Sequence, residues 1–589
     1  MQNLKLKYDV TELQQLFVEK TLEVLHKDTI DTYRLRLHNP TSLLRELVKV
    51  CLDLKLERLR NHDYATTLIR EMARILQTDH NLNFDRIELG YFNKLLTEAK
   101  GKKVNYSKVI HSANLLLSDN MDYFNKLHEK LRLALIAENR QTDLSLQEAK
   151  DFNLTVQYYY IELTELGYSR FYLDHFANAV LIGLSRQSFE ERFEILHSLY
   201  DRPHEEFTVV FGLTSYKINL VNVRLRGTIA TRVTARDKAQ LRHSTNQHIS
   251  SYLDKHNEEL LLITKVTCSD YYRALELGKE LMLEFLDSLY VSYSKSSITL
   301  MDEIAVIGAN DPTKSRVYNS TYRIEGHFEG RESRYLHLSE SFDFIKNNER
   351  ISEDTVNKLI SGIRNLRLGT EATDLGNKLL NYWIGLEFIF AIFDADEYTI
   401  SRIRTYLPRC HALIYLRRNL FSFHRDLERL GLHEGLSNYD GSLAYLLHQE
   451  THDIIQSNTK SILAKYRSRH IWELINDSKQ LQSALINHQE NLDWNIMRIY
   501  RIRNEIVHNA AIRSDIVTLV SHLRSYLTFI INNAVDFLLN ERTDVNSDGQ
   551  VSIEDFFILQ DIRLSSIETN KERMSVESLL KLRVPRKVV

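Results

Sequence analysis

Close to the C-terminal end of the chain, an arginine, an asparagine and a histidine fall within six residues, in RIYRIRNEIVHNA (Arg498 to Ala510). Arg503 and His508 flank four residues, and Asn504 directly follows the arginine. The spacing by itself selects nothing, because nine of the 23 histidines have an arginine five to seven positions before them. Helical geometry is more selective. At 100° per residue, Leu492, Ile496, Ile499, Ile502 and Ile506 form one apolar stripe, and Met497, Arg501, Asn504 and His508 fall on the opposite face. A polar face carrying Arg, Asn and His has the donors a phosphodiester reaction needs. Arg503 itself points about 140° away from His508, nearer the stripe. Either Arg503 reaches round with its long side chain, or Arg501, two turns before His508 and on its face, does part of the phosphate work. The bland alternative is that His508 satisfies the helix end while the arginines form surface ion pairs.

A second set of chemical residues lies in DVNSDGQVSIED, Asp544 to Asp555. Asp544, Asn546 and Asp548 take positions 1, 3 and 5 of a twelve-residue calcium loop, and Gly549 takes the tight turn. Gln550 offers a backbone carbonyl at position 7, Val551 is the apolar position 8, Ser552 is position 9, and Asp555 closes the loop. An Asp in place of Glu at position 12 shortens the reach and favours weaker Ca²⁺ or Mg²⁺ binding, in a structural role. The competing reading is a helix–turn–helix with acidic caps.

These residues need helices to position them, and the composition favours helices. In 589 residues there are 18 Gly and 5 Pro, so few breakers interrupt the chain. The expected fold class is mainly α and multi-domain. Residues 1–200 read as a helical N-terminal region, with LQQLFVEKTLEVL and TSLLRELVKVCLDLKLERL at helical spacing. Thr11 with Gln14 has capping-box spacing, and Thr41–Ser42 after Pro40 suggests another helix start. Residues 201–350 read as a mixed α/β module: strands over Phe207–Val233, helices near Ile249–Leu262 and Tyr271–Leu289, and strands again over Ser297–Ile307 and Arg316–Leu338. The Arg- and Tyr-rich stretch RVYNSTYRIEGHFEGRESRYLHL could contact nucleic acid or form a solvated sheet face. Residues 351–541 read as a helical bundle, and 542–589 as the loop, a helix and a basic tail, KLRVPRKVV.

The net charge of −3 argues against a uniformly basic nucleic-acid coat and leaves local basic faces open. Cys51, Cys268 and Cys410 show no CxxC pair, which fits a reducing compartment. MQNLKLKYDVTELQQ lacks a signal-peptide core. The most apolar run, YWIGLEFIFAIF, is too short to span a bilayer and carries Glu387. A cytoplasmic protein without membrane contact is expected.

YWIGLEFIF (Tyr382–Phe390) followed by RIRNEIVHNA (Arg501–Ala510) resembles the HEPN family, particularly its Apea-like branch found in antiphage proteins. The resemblance covers about 354–540, and the family motif is matched by Arg503, Asn504 and His508. Glu387 stands where the family often has an acidic residue. The resemblance implies a metal-independent endoribonuclease acting on single-stranded RNA, with no cofactor for catalysis. Attack of a ribose 2′-hydroxyl would leave a 2′,3′-cyclic phosphate and a 5′-hydroxyl. His508 would be general acid or base, Arg503 would hold the phosphate, and Asn504 would orient the scissile group. A homodimer is implied, as is antiphage defence with a phage-derived or nucleic-acid trigger. A second Arg-Asn start, Arg418 and Asn419 with His424 in RRNLFSFH, offers another motif, although Leu420, Phe421 and Phe423 make a core helix the plainer explanation. The rival class is a non-catalytic helical scaffold that dimerises through the bundle and binds a structural cation.

Overall fold

The structure is a computed structural model that describes residues 8–26, 36–79, 86–99, 104–136, 144–183, 187–215, 231–257, 259–290, 298–319, 332–392, 397–433, 442–509, 516–540 and 549–569, with a few single positions besides. Among these residues the chain is mainly helical with one small antiparallel sheet. It divides into two compact units. One comprises residues 1–161, 325–511 and 517–589, and the other residues 162–324 with 512–516. No described helix is long and apolar enough to cross a membrane.

The chain opens with α1 (Glu12–Leu25), α2 (Pro40–Lys55), α3 (Asp63–Thr78), α4 (Arg86–Ala99), α5 (Tyr106–Asp119), α6 (Tyr123–Ile136) and α7 (Leu146–Glu165). The Thr11–Gln14 capping box forms as its spacing suggests: Gln14 N donates to Thr11 Oγ1 at 3.2 Å, and Thr11 N to Gln14 Oε1 at 3.0 Å. The start of α2 differs from the reading at Thr41–Ser42. Asn39 is the cap, accepting from Ser42 N at 2.8 Å, and Ser42 returns the bond from the third helical position behind Pro40. Leu43, Leu47, Val50 and Leu54 of α2 interlock with Leu68, Met72 and Ile75 of α3 and with Val109, Ala113 and Leu116 of α5, at helical spacing.

The second unit begins within α7 and continues through α8 (Arg170–Asn178) and α9 (Phe189–His197). It adds β1 (Glu205–Ser215), β2 (Thr231–Arg232), α10 (Ala235–Ser244), α11 (Gln247–Lys255), β3 (Leu260–Cys268), α12 (Tyr271–Tyr290), β4 (Ile298–Gly308) and β5 (Arg316–Asn319). The strands order as β2-β3-β1-β4-β5, and each named pair is antiparallel. Period two decides which side chain meets which helix. Phe207, Val209, Phe211 and Leu213 join Ala274, Met282 and Leu286 of α12, while Val210 joins Ile249, Tyr252 and Leu253 of α11.

Two expectations fail here. The helix near 249–262 ends at Lys255, and LLLITKVTC is a central strand. Its continuous apolar run fits either period, and pairing with β1 settles it. The strand expected to reach Leu338 gives way to α13 (Glu332–Asn347), whose buried Ser341 and Ile345 lie four apart. Residues 216–230, within the strands expected over Phe207–Val233, and 320–331, within the Arg- and Tyr-rich stretch, lie outside the described residues.

The C-terminal bundle adds α14 (Glu353–Glu371), α15 (Leu375–Phe390), α16 (Thr399–Arg429), α17 (Gln449–Asn458), α18 (Ile462–Asn476), α19 (Ser478–Asn509), α20 (Val517–Asn540) and α21 (Ile553–Thr569). α14 and α15 approach closely: a Cβ on Gly385 would stand 3.2 Å from the Gly362 carbonyl oxygen. The N-terminal helices belong to the same unit. Buried Glu19 of α1 accepts from Leu463 N at 2.7 Å and Ser461 Oγ at 3.0 Å, completing the start of α18. Arg467 of α18 pairs with Glu23 and Asp426. Burial pushes the Glu19 carboxyl up.

Candidate active site

Helix α19 carries the Arg-Asn-His motif in its last two turns, and packing decides which of its faces is open. The apolar stripe lies inside as expected: Leu492, Ile496, Ile499 and Ile502 are buried. The opposite face is covered as well. Met497 joins the core of α2–α5, and Tyr500 packs against it. Arg498 places Nε 2.8 Å from Glu46 and also pairs with Glu71, and Arg501 Nη2 lies 2.5 Å from Glu46.

This cluster is almost dry. Burial alone would raise Glu46, but the guanidiniums of Arg498 and Arg501 reverse that and hold its carboxyl far below the usual carboxylate range. Glu71, which shares Arg498, is pushed up by burial. His38, 3.6 Å from Glu46, is driven down to about 3 by burial and then by Arg498. Arg501 is therefore committed to Glu46, with Glu505 at 3.5 Å, and is 7% exposed. Of the two arginines that could meet a phosphate, Arg503 is the one left within reach of solvent.

Arg503 is half-buried. Its Nη1 donates to Asn504 Oδ1 at 2.9 Å, and its Nη2 lies 3.8 Å from Glu387 Oε2 on α15. Its Nε is buried and meets no acceptor among the described residues. Trp383 Nε1 donates to Glu387 Oε1 at 2.6 Å, one turn along α15, and the Trp383 ring lies tilted against Tyr500, 5.5 Å between centroids. Asn504 Nδ2 donates to the Tyr64 hydroxyl at 2.8 Å. The result is a closed circuit from Tyr64 through Asn504, Arg503, Glu387, Trp383 and Tyr500, returning to Tyr64 at 6.2 Å between rings. His508 stands outside this circuit, exposed in the last turn of α19. The last two turns of α19 thus hold an anchored guanidinium, an amide fixed at both ends and an open imidazole, residue types able to hold a phosphate and move a proton.

The second Arg-Asn segment points inward. His424 is buried, with Nδ1 2.8 Å from the Tyr445 hydroxyl and Nε2 3.1 Å from Glu428. Asn419 Nδ2 turns back to the Tyr415 carbonyl at 2.9 Å, and Arg418 is half-buried on the same helix. His424 is part of the interior of the bundle, and Arg418 lies at its margin.

In the C-terminal loop, Asp544, Asn546 and Asp548 lie outside the described residues, as does the basic tail. Residues 549–555 have a backbone suited to the second half of such a loop. Gly549 has φ of 86°, the left-handed conformation its tight turn requires. Val551 forms a bridge with Ile351, donating to the Arg350 carbonyl at 2.6 Å. Gln550 is exposed beside it. Ser552 and the wholly buried Asp555 cap α21 reciprocally, with Ser552 N and Oγ each 2.7 Å from Asp555 Oδ2. Among the described residues no cluster of three His, Cys, Asp or Glu is placed to hold a metal. The three cysteines are free and buried.

Sequence reasoning missed Tyr64, Trp383, Glu46 and Glu71. Trp383 was legible from its place four residues before Glu387 on one helix face. The other three carry no local signal, since their partners lie more than 400 residues away. Comparison with protein-family models, with curated proteins and with solved structures finds no match.

Proposed function

We propose that the chain is a metal-independent endoribonuclease of HEPN type acting on single-stranded RNA. The observation that carries this reading is the last two turns of α19, where Arg503 is hydrogen-bonded by Asn504 and faces Glu387 while His508 stays open to solvent. In the reaction the ribose 2′-oxygen bonds to the adjacent phosphorus as the bond from phosphorus to the 5′-oxygen breaks. One proton leaves the 2′-hydroxyl and another reaches the departing 5′-oxygen. His508 carries one of these transfers, and its counterpart in a second copy of the chain carries the other, so the active form is a homodimer. Arg503 stabilises the charge that grows on the phosphate oxygens. With this reading goes a setting, antiphage growth arrest, in which residues 1–350 receive a phage-derived or nucleic-acid trigger.

The test is cleavage of a mixed-sequence single-stranded RNA in EDTA. Activity is lost in His508→Ala and kept in His448→Ala, an exposed histidine away from the motif. Cleavage abolished by EDTA, or kept in His508→Ala, overturns the reading. The burial of Arg498 and Arg501 in ion pairs with Glu46 and Glu71 favours a second reading, a non-catalytic helical scaffold that dimerises through the bundle and binds a structural cation; it predicts no cleavage at all.

The C-terminal loop is proposed to take Ca²⁺ or Mg²⁺ in a structural role. The support is the Gly549 turn and the Val551 bridge, at positions 6 and 8 of the loop. Millimolar Ca²⁺ then raises Tm in the unsubstituted protein but not in Asp544→Ala; an equal rise in both contradicts the site.

A further inference from the structure

Asn504 is the one motif residue tied to the N-terminal helices by a neutral hydrogen bond, and the geometry of that bond has a consequence for Arg503. An Asn amide has an accepting and a donating end. Here the accepting end holds Arg503 Nη1 at 2.9 Å, and the donating end reaches the Tyr64 hydroxyl at 2.8 Å. Turned over, the amide would set its NH₂ against a guanidinium, donor against donor, so one orientation serves both neighbours. The other arm of Arg503 lies 3.8 Å from Glu387, beyond hydrogen-bond length, which leaves Asn504 as the hydrogen-bonded anchor of the guanidinium among the described residues.

Tyr64 is itself held firmly. It is 4% exposed, and burial pushes its hydroxyl up to about 12, so it keeps its proton through the neutral range. Its helix lies antiparallel along α19. Arg74 pairs with Glu490 at 2.6 Å and stacks at 5.4 Å over Trp494, Glu71 pairs with Arg498, and Tyr64 meets Asn504. From 490 to 504 this contact runs about 21 Å along the axis. α3 is a splint on the helix that carries the motif.

We infer that Tyr64 is a positioning residue for the cleavage site: through the Asn504 amide it fixes the Arg503 guanidinium, so that the N-terminal helical region completes the site. The inference rests on the ribonuclease reading and deepens it. Tyr64→Phe keeps the ring and its packing and removes only the hydroxyl.

The experiment is a double-mutant cycle of Tyr64→Phe and Asn504→Ala in the full chain, with His508→Ala alongside. Tm and the separate kcat and KM are read on a 5′-labelled mixed-sequence RNA in EDTA. Loss of one neutral hydrogen bond lowers kcat about 3- to 10-fold in Tyr64→Phe, with KM within about twofold and Tm lower by about 1–2 °C. Both effects vanish in the Asn504→Ala background, because Tyr64 acts through Asn504. If His508→Ala abolishes cleavage while Tyr64→Phe has no effect, or the same effect with and without Asn504, the role of Tyr64 is overturned and the ribonuclease reading stands. If the unsubstituted protein leaves the RNA intact, both fall together.

Discussion

Arg498, Arg501 and Arg503 lie within six consecutive positions of one helix, and each has a different fate set by what faces it. Arg498 and Arg501 meet Glu46 and Glu71 in a buried cluster, while Arg503 meets an amide and a distant carboxylate. His38 sits at the edge of that cluster, and burial first, then the same cationic neighbours that hold Glu46 down, drive His38 down to about 3. Its folded value lies below its unfolded value near 6.5, so the unfolded chain binds the extra proton. His38 therefore contributes stability above about pH 6.5 that is lost as the pH falls towards 3. At pH 5 the contribution lost is at most about 2 kcal/mol. Glu71 and Glu19 shift the opposite way, so the difference between variants is the useful quantity. Urea unfolding at pH 7 and pH 5 gives a smaller loss of stability on acidification in His38→Gln than in the unsubstituted protein. Equal losses contradict the assignment.

At the scale of elements, α19 is clamped between the bundle and the N-terminal helices, and the charges in that clamp are uncompensated if one is removed. Arg498→Ala leaves Glu46 and Glu71 buried without their shared partner and costs about 3–5 kcal/mol, read as a lower denaturation midpoint. A cost below about 1 kcal/mol, the range of an exposed pair, would show the clamp to be open to water. Much of α19 was legible in sequence: its helical spacing and the Leu492–Ile506 stripe predict the helix and its buried face. What could not be read was that the opposite face is covered too. Charges at helical spacing ordinarily face water, and the carboxylates that take these in sit on α2 and α3, more than 400 residues earlier. The same limit explains β3, where LLLITKV suits a helix or a strand until β1 pairs with it. His424 was legible as a core residue from the Leu and Phe around it, and it is one.

At the scale of the whole molecule, the unit that holds the motif is assembled from both ends of the chain: residues 1–161 pack with 325–511 and 517–589. Residues 325–589 alone would expose Met497, Arg498 and Arg501 and lose the Glu19 cap on α18. Expressed alone, that fragment is expected to aggregate or unfold without a cooperative transition, and co-expression of residues 1–161 restores it. A monomeric fragment with a sharp transition would contradict the joint core. The proposed chemistry depends on which atom attacks phosphorus, and the ends of the cut strands record it. Mass spectrometry of RNA fragments from the full-length protein is predicted to show 2′,3′-cyclic phosphates paired with 5′-hydroxyls, absent with His508→Ala. Fragments ending in 3′-hydroxyls and 5′-phosphates, or cyclic ends that persist in His508→Ala, would contradict it.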